Sequence, residues 1–281
     1  MPSIVTILRS TIAFYREQGV LNTVALVLFT VPMSTFHTLL RFFEPRQLDT
    51  ITLAFFFVFL LSLLITWGAA CTLIIGKRLI EKHGGRSRSS FRALAKEAKR
   101  ILIPLYVTGI LRACITVLWS FPAIILLALV LVLPENTLRL PETPSTFLTL
   151  TIFLAFAISL IPAFLYSIRT SFYDIILVAE NLRFRAALQR STQVIRGHTG
   201  KVLLYLLVLS AVFFLPTNLL TMLLETAVVA LDPIFLPASD IVKSGLLSIA
   251  TILFTLSSII LFGAVKDLGG IIHEVHLEQR S

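Results

Sequence analysis

Of the 281 residues, 57% are hydrophobic and 14% charged, a mixture that leaves too few water-facing side chains to cover soluble domains. The charge balance of 24 Lys and Arg against 15 Asp and Glu, formally +9, does not describe a nucleic-acid face, because the basic residues fall at the ends of long apolar runs. The two cysteines, Cys71 and Cys114, both lie inside apolar stretches; they exclude a disulfide scaffold and are expected as small buried side chains.

A helix rising about 1.5 Å per residue needs about 20 mostly apolar residues to cross a hydrocarbon core of about 30 Å. Six runs meet that length, at residues 20–40, 51–75, 113–133, 147–168, 202–224 and 241–265. The expected fold is all-α: a single polytopic membrane helix bundle over residues 1–281, with about six transmembrane helices and amphipathic interfacial helices. The first run starts late, is long, and shows no small-residue cleavage site before the polar linker 43–50. It is expected to remain as a span rather than be removed as a signal peptide.

Charge between the runs sets the expected orientation, because cytoplasmic loops carry the excess of Lys and Arg. Residues 77–100 hold nine basic side chains against Glu81 and Glu97, and residues 169–201 hold six against Asp174 and Glu180. The other loops carry Glu44, Arg46 and Asp49, then Glu135, Arg139 and Glu142, then Glu225, Asp232 and Asp240 before Lys243. Both termini and both basic linkers are therefore placed in the cytoplasm, in a multi-pass protein of the cell inner membrane. Of the outer segments, 133–146 reads as an ordered loop, and 227–231 as an apolar stretch returning toward the membrane surface.

The third run begins near Ile101 and is interrupted by Pro104, Arg112 and Pro122, so its helix is expected to be tilted, bent, or preceded by a shallow interfacial piece. Three roles are open to Arg112 at that depth. It snorkels toward the basic side, which is the expected outcome, or pairs within the bundle, or contacts an anion or lipid headgroup.

Internal similarity points to a threefold repeat of a two-span unit. Residues 9–19 (RSTIAFYREQG), 91–100 (FRALAKEAKR) and 184–195 (FRAALQRSTQVI) each precede an apolar run, and the RST of the first recurs at Arg190, Ser191 and Thr192. Each segment reads as a short amphipathic helix at an anionic inner leaflet, with Arg92, Lys96, Arg185 and Arg190 on the basic edges as lipid-headgroup contacts. Gly84 and Gly85 with Ser87, Ser89 and Ser90 make a flexible hinge before the middle one.

Residues 171–197, SFYDIILVAENLRFRAALQRSTQVIRG, carry an acidic residue after a polar-aromatic turn, then an Ala-Leu-x-x-Ser segment closing on Arg and Gly. With Glu180, Ala187, Leu188, Ser191, Arg196 and Gly197 at these positions, the chain resembles the six-span bacterial membrane proteins related to the membrane domain attached to some glycerophosphodiester phosphodiesterases. The resemblance implies the six-span fold. It implies no phosphodiesterase activity, since the catalytic part of such fusions is a separate soluble barrel that has no counterpart in this sequence.

Chemistry inside a membrane needs clustered carboxylates, a serine with a base, or histidines at metal-ligand spacing. None of His37, His83, His198, His273 and His276 belongs to an HExxH segment, and His273 with His276 reads as part of a solvated tail. His37 is a candidate functional residue in the first span, near its outer end; Trp67 and Trp119 read as packing residues. No phosphate loop or dinucleotide fingerprint occurs, so neither cofactor nor metal is expected.

The reading that follows is a non-enzymatic integral membrane protein for membrane organisation, assembly or envelope homeostasis. Its partners would be anionic lipid headgroups at the cytoplasmic face, a membrane protein or a second copy, with no nucleic acid. The alternative is a carrier for a small or amphiphilic solute, suggested by the repeat, by Arg112, and by Pro32, Pro104, Pro122, Pro162 and Pro216 in or at the ends of spans.

Overall fold

A computed structural model describes residues 1–42, 48–80, 90–132, 145–231 and 236–278. The expectations for the linker at 43–47, the glycine hinge at 84–89, the loop at 133–144 and the side chains of His273 and His276 concern residues outside that description. The chain is all helix among the described residues: α1 (Ile4–Glu17), α2 (Val20–Val24), a π-helical turn (Ala25–Thr30), α3 (Val31–Phe42), α4 (Leu48–Ile80) and α5 (Phe91–Val132). It continues through α6 (Ser145–Arg169), α7 (Tyr173–Ala179), α8 (Arg185–Ile195), α9 (Thr199–Leu231) and α10 (Leu236–Glu278). Six stretches are long and apolar enough to cross a membrane: Val20–Thr38, Ala54–Lys77, Phe91–Leu126, Phe153–Ala179, Thr199–Ala227 and Pro237–Asp267. Residues 227–231 do not turn back toward the membrane surface; they close α9.

The first and third amphipathic segments separate from the spans behind them, and the middle one does not. α1 is capped by Ser3, whose Oγ accepts the Thr6 N–H at 3.2 Å, and it ends where Gln18 and Gly19 interrupt the helix. α8 ends at Arg196, and Gly197 follows with φ +87°, a left-handed conformation that favours glycine. Aligned on its Phe-Arg-Ala with the third, the middle segment has Ile103 and Pro104 at this place, and the helix runs on. The expected separate helix at 91–100 is thus the opening of a continuous 42-residue α5, with Pro104 and Pro122 inside it. The repeated RST is also one residue out of register in its burial, since Thr11 is the buried hydroxyl of the first copy and Ser191 that of the third.

The first, second and sixth spans form the interior. Leu21, Val24, Leu28 and Phe29 meet Ala70, Cys71, Leu73 and Ile75 of α4 and Ile252, Leu256, Ile259 and Phe262 of α10. Small hydroxyls knit these faces together. Thr11 Oγ1 lies 2.9 Å from Ser257 Oγ, and Thr30 Oγ1 lies 2.9 Å from the Ala25 carbonyl and 3.1 Å from Ser248 Oγ. The π-helical turn, where the Val31 N–H reaches five residues back to Leu26 O, directly precedes Pro32, which has no N–H to continue the ladder. α5, α6 and α9 lie outside and turn Ile103, Leu118, Phe153, Leu204 and Met222 outward, as lipid-facing helices do. Cys114 and Trp119 belong to this outward face, so of the cysteines only Cys71 is buried, and packing does not account for Trp119. Trp67 does pack, donating its indole N–H to Ala95 O at 3.1 Å.

Two glycines allow α4 to approach its neighbours closely. A methyl group at Gly68 would find three carbons of the Phe29 ring within 2.9 Å, whereas one at Gly76 would meet chiefly the terminal carbon of the Ile259 side chain. A ring cannot bend away, but an isoleucine terminus can rotate. Gly68→Ala is therefore expected to destabilise the bundle by about 1–3 kcal/mol, the usual cost of overpacking, and Gly76→Ala by less. Unfolding in a mild detergent measures both, and equal losses would contradict this account.

Candidate functional site

Arg112 sits in α5, and its guanidinium reaches the last turn of α6. Nε donates to Thr170 Oγ1 at 3.0 Å, while Nη2 donates to the Ser167 carbonyl at 2.9 Å and lies 3.1 Å from Ser167 Oγ. The guanidinium carbon stands 5.2 Å from the centroid of the Tyr173 ring. The final carbonyls of a helix lack helical partners and carry the negative end of its dipole, so a cation there is electrostatically matched. Snorkelling is thus not what Arg112 does. α6 ends beside it and offers acceptors at Ser167 and Thr170, so the arginine pairs within the bundle.

The fourth span breaks at that point. Ser171 N–H turns back to Ile168 O at 3.0 Å, and α7 then restarts with Tyr173, burying Ile175, Ile176, Leu177 and Val178 in the interior. Asp174 opens α7, with Oδ1 accepting the Ile175 N–H at 2.9 Å. No ion pair joins it to Arg112 among the described residues. Cavities lie on both sides of Tyr173 and Asp174. One, of about 430 Å³, is bounded by Arg112, Ser167, Ser171, Phe164, Leu207 and Ser258 among others; the second, of about 390 Å³, lies against Ser62, Thr66, Tyr106 and Gly109 between α4 and α5. The buried Ser171 Oγ has no hydrogen-bond partner. Sequence reasoning counted Asp174 only as an acid in a basic linker. The available signal was an acid between Tyr173 and four aliphatic residues, a setting in which an ionisable group needs a reason.

The candidate motif builds the corner beneath this site. Ser191 is fully buried, accepting the Phe172 N–H at 3.2 Å and donating to Arg169 O at 2.9 Å, so α8 clasps the α6–α7 turn. Ala187, Leu188 and Ile195 form the rest of the buried stripe. Between α7 and α8 the backbone is left-handed at Asn181 (φ 55°) and at Phe184 (φ 50°). Asparagine tolerates this region, but a phenylalanine there is strained, and the Phe184 N–H is held by the buried Thr108 Oγ1 at 3.2 Å. Glu180 joins two elements, with Oε2 3.1 Å from Arg190 Nε and Oε1 2.9 Å from Lys266 Nζ.

The remaining sequence candidates do not converge on Arg112. His37 is exposed on α3 with its ring 6.2 Å from Phe36. Arg92, Lys96 and Arg185 are exposed, on the opening turns of α5 and on α8, while Arg190 turns inward to Glu180. Among the described residues no group of three metal-ligating side chains occurs.

Two substitutions separate the joints of this corner. Ser191→Ala leaves a buried N–H and a buried carbonyl without their partner and is expected to cost about 1–3 kcal/mol in a detergent melt; an unchanged melt would show that the clasp carries no stability. For Glu180, partial burial acts to raise the pKa, but the hydrogen bonds and charges of Lys266 and Arg190 prevail and hold it below the usual 4.5. A lowered folded pKa gives stability that is present above the unfolded value and lost as pH falls through the folded one. The stability gap between wild type and Glu180→Gln is therefore expected at pH 7 and should close as pH falls below about 4.5, a modest gap because both cations are partly exposed. A gap that persists in acid would exclude the ionised carboxylate as its source. No family model, no curated protein and no solved structure matches this chain, so the chemistry of the site stands on its own residues.

Proposed function

We propose that this integral membrane protein is non-enzymatic and organises the cytoplasmic leaflet of the cell inner membrane, with both termini cytoplasmic. The observation that carries the reading is the basic end of the bundle. α4 and α6 run toward it, α5 and α9 start from it, and Arg92, Lys96, Lys99, Arg100, Arg169, Arg183, Arg185 and Lys201 are all exposed there. α1 and α8 bury one side against the bundle and leave basic residues on the other, the form of a helix that meets anionic headgroups. Hydroxyls deeper in the spans are committed to structure: Thr66, Thr72, Thr116, Thr217 and Ser258 each donate to a carbonyl one turn back. A second copy or another membrane protein would complete such an assembly. The family resemblance belongs to this proposal, supported by the connected corner that its Glu180, Ala187, Leu188 and Ser191 build.

A second reading, a carrier for an amphiphilic solute, is favoured by the two cavities that Tyr173 and Asp174 separate. On this reading a proteoliposome would move a fluorescent short-chain phospholipid between leaflets faster than an empty vesicle, and Asp174→Asn would slow it.

The first reading predicts that Arg92→Gln, Lys96→Gln and Arg185→Gln together reduce the anionic phospholipid that co-purifies with the protein. At about 1 kcal/mol per basic residue near an anionic surface, the loss is on the order of a hundredfold in affinity. Lipid analysis after mild detergent extraction reads it, and equal phosphatidylglycerol in both preparations would refute the role of this face.

A further inference from the structure

The 430 Å³ cavity is enclosed by α5, α6, α9 and α10 and by the start of α7, and Arg112 and Asp174 are the charged residues that line it. Their charges cancel, yet they do not form an ion pair with one another. Arg112 uses Nε and Nη2 to hold α6 and stands against Tyr173, which lines the cavity with it. Asp174 Oδ1 accepts the N–H of the next residue, Ile175, at 2.9 Å. Ser171 Oγ, buried without a partner, lines the cavity with the hydroxyl residues Ser167, Ser210, Thr255 and Ser258. Phe164, Leu203, Leu206 and Phe254 are among its apolar walls. Phe164 of α6 and Leu207 of α9 bound the cavity and are 52% and 55% exposed, apolar side chains of the kind that face lipid, and the mouth is taken to lie between them.

From this arrangement we propose that the cavity binds a zwitterionic membrane lipid whose headgroup carries a phosphate and a primary ammonium. The phosphate meets the guanidinium of Arg112 with Ser171, the ammonium donates to Asp174, and the acyl chains leave between Phe164 and Leu207. The occupant follows from charge complementarity. A purely anionic headgroup would set its charge beside the Asp174 carboxyl, and a like-charge juxtaposition away from water is strongly unfavourable. A purely cationic amphiphile meets the same obstacle at Arg112. A quaternary ammonium balances both charges but has no N–H for Asp174. The volume falls in the range of small-molecule sites and holds a headgroup, while two acyl chains must remain in the bilayer. The cavity lies beside the basic end of the bundle, since Ser167 and Ser171 of its lining flank Arg169, but the two proposals name different lipid classes and different side chains, so they fail independently.

The test uses the full-length protein in nanodiscs of phosphatidylcholine containing equal minor fractions of phosphatidylethanolamine and phosphatidylglycerol, with retained lipids weighed by native mass spectrometry. Leu207→Trp obstructs the mouth from an exposed position, so the lipid lost in this variant is the lipid of the cavity. That fraction is expected to be phosphatidylethanolamine, enriched over phosphatidylcholine on the order of tenfold, as one charge-assisted hydrogen bond supplies. Asp174→Asn, which keeps the side-chain shape and an oxygen for the Ile175 N–H, is expected to abolish the enrichment while the melting temperature stays near that of wild type. Equal retention of phosphatidylethanolamine and phosphatidylcholine would overturn the proposal, as would a cavity fraction made of phosphatidylglycerol. A preference that survives both substitutions would overturn it too, by placing the lipid elsewhere. Should Asp174→Asn lower the melting temperature, Ser171→Ala supplies the independent variant: reduced phosphatidylethanolamine in the Leu207→Trp-sensitive fraction supports the site, and unchanged retention counts against it.

Discussion

A guanidinium carried into the membrane interior has to find acceptors, and the fold is arranged around where Arg112 finds them. Its bonds to Ser167 and Thr170 fasten α5 to the end of α6 and supply the charge that the exposed carbonyl end of a helix favours. Because α6 terminates there, the fourth span is finished by a second, buried helix in a new direction. That break brings Tyr173 and Asp174 into the bundle and leaves space on either side of them. Irregular backbone at membrane depth is tolerated where protein surrounds it or where it borders a cavity, and both conditions hold here.

The corner is stable because its polar atoms are shared among elements distant in sequence. Ser191 serves two backbone groups of the α6–α7 turn, Thr108 holds the strained Phe184, and Glu180 gathers a cation from α8 and another from α10. Each of these partners would otherwise be an orphan in a poorly hydrated place, where a missing hydrogen bond is costly. Elsewhere in the bundle contact is made by small residues instead, as where Gly68 lets the Phe29 ring lie against α4.

The helical class and the number of spans were legible because hydrocarbon imposes a length and a composition that a single sequence displays directly. The third helix was less legible, since its basic opening turns read as a separate interfacial piece. It lacks the left-handed glycine that follows α8 at Gly197, and it passes through Pro104 without a break. The site was half legible. Arg112 stood out as a charge in an apolar run, but its partners at Ser167 and Thr170 are ordinary span residues 55 and 58 positions away, and no local pattern marks them. His37 stood out for the same reason as Arg112 and is exposed, lining neither of these cavities. Asp174 was passed over because linker charges were summed rather than placed.

The unbroken α5 has a mechanical meaning for the bilayer. Its span-like stretch Phe91–Leu126 is 36 residues long, about 54 Å of helix against a hydrocarbon core of about 30 Å. Such a rod fits only by leaning or by carrying its first turns out of the hydrocarbon, and its lean changes with membrane thickness. Because Arg112 fastens this helix to the end of α6, its lean is tied to the turn that carries Tyr173 and Asp174 between the two cavities.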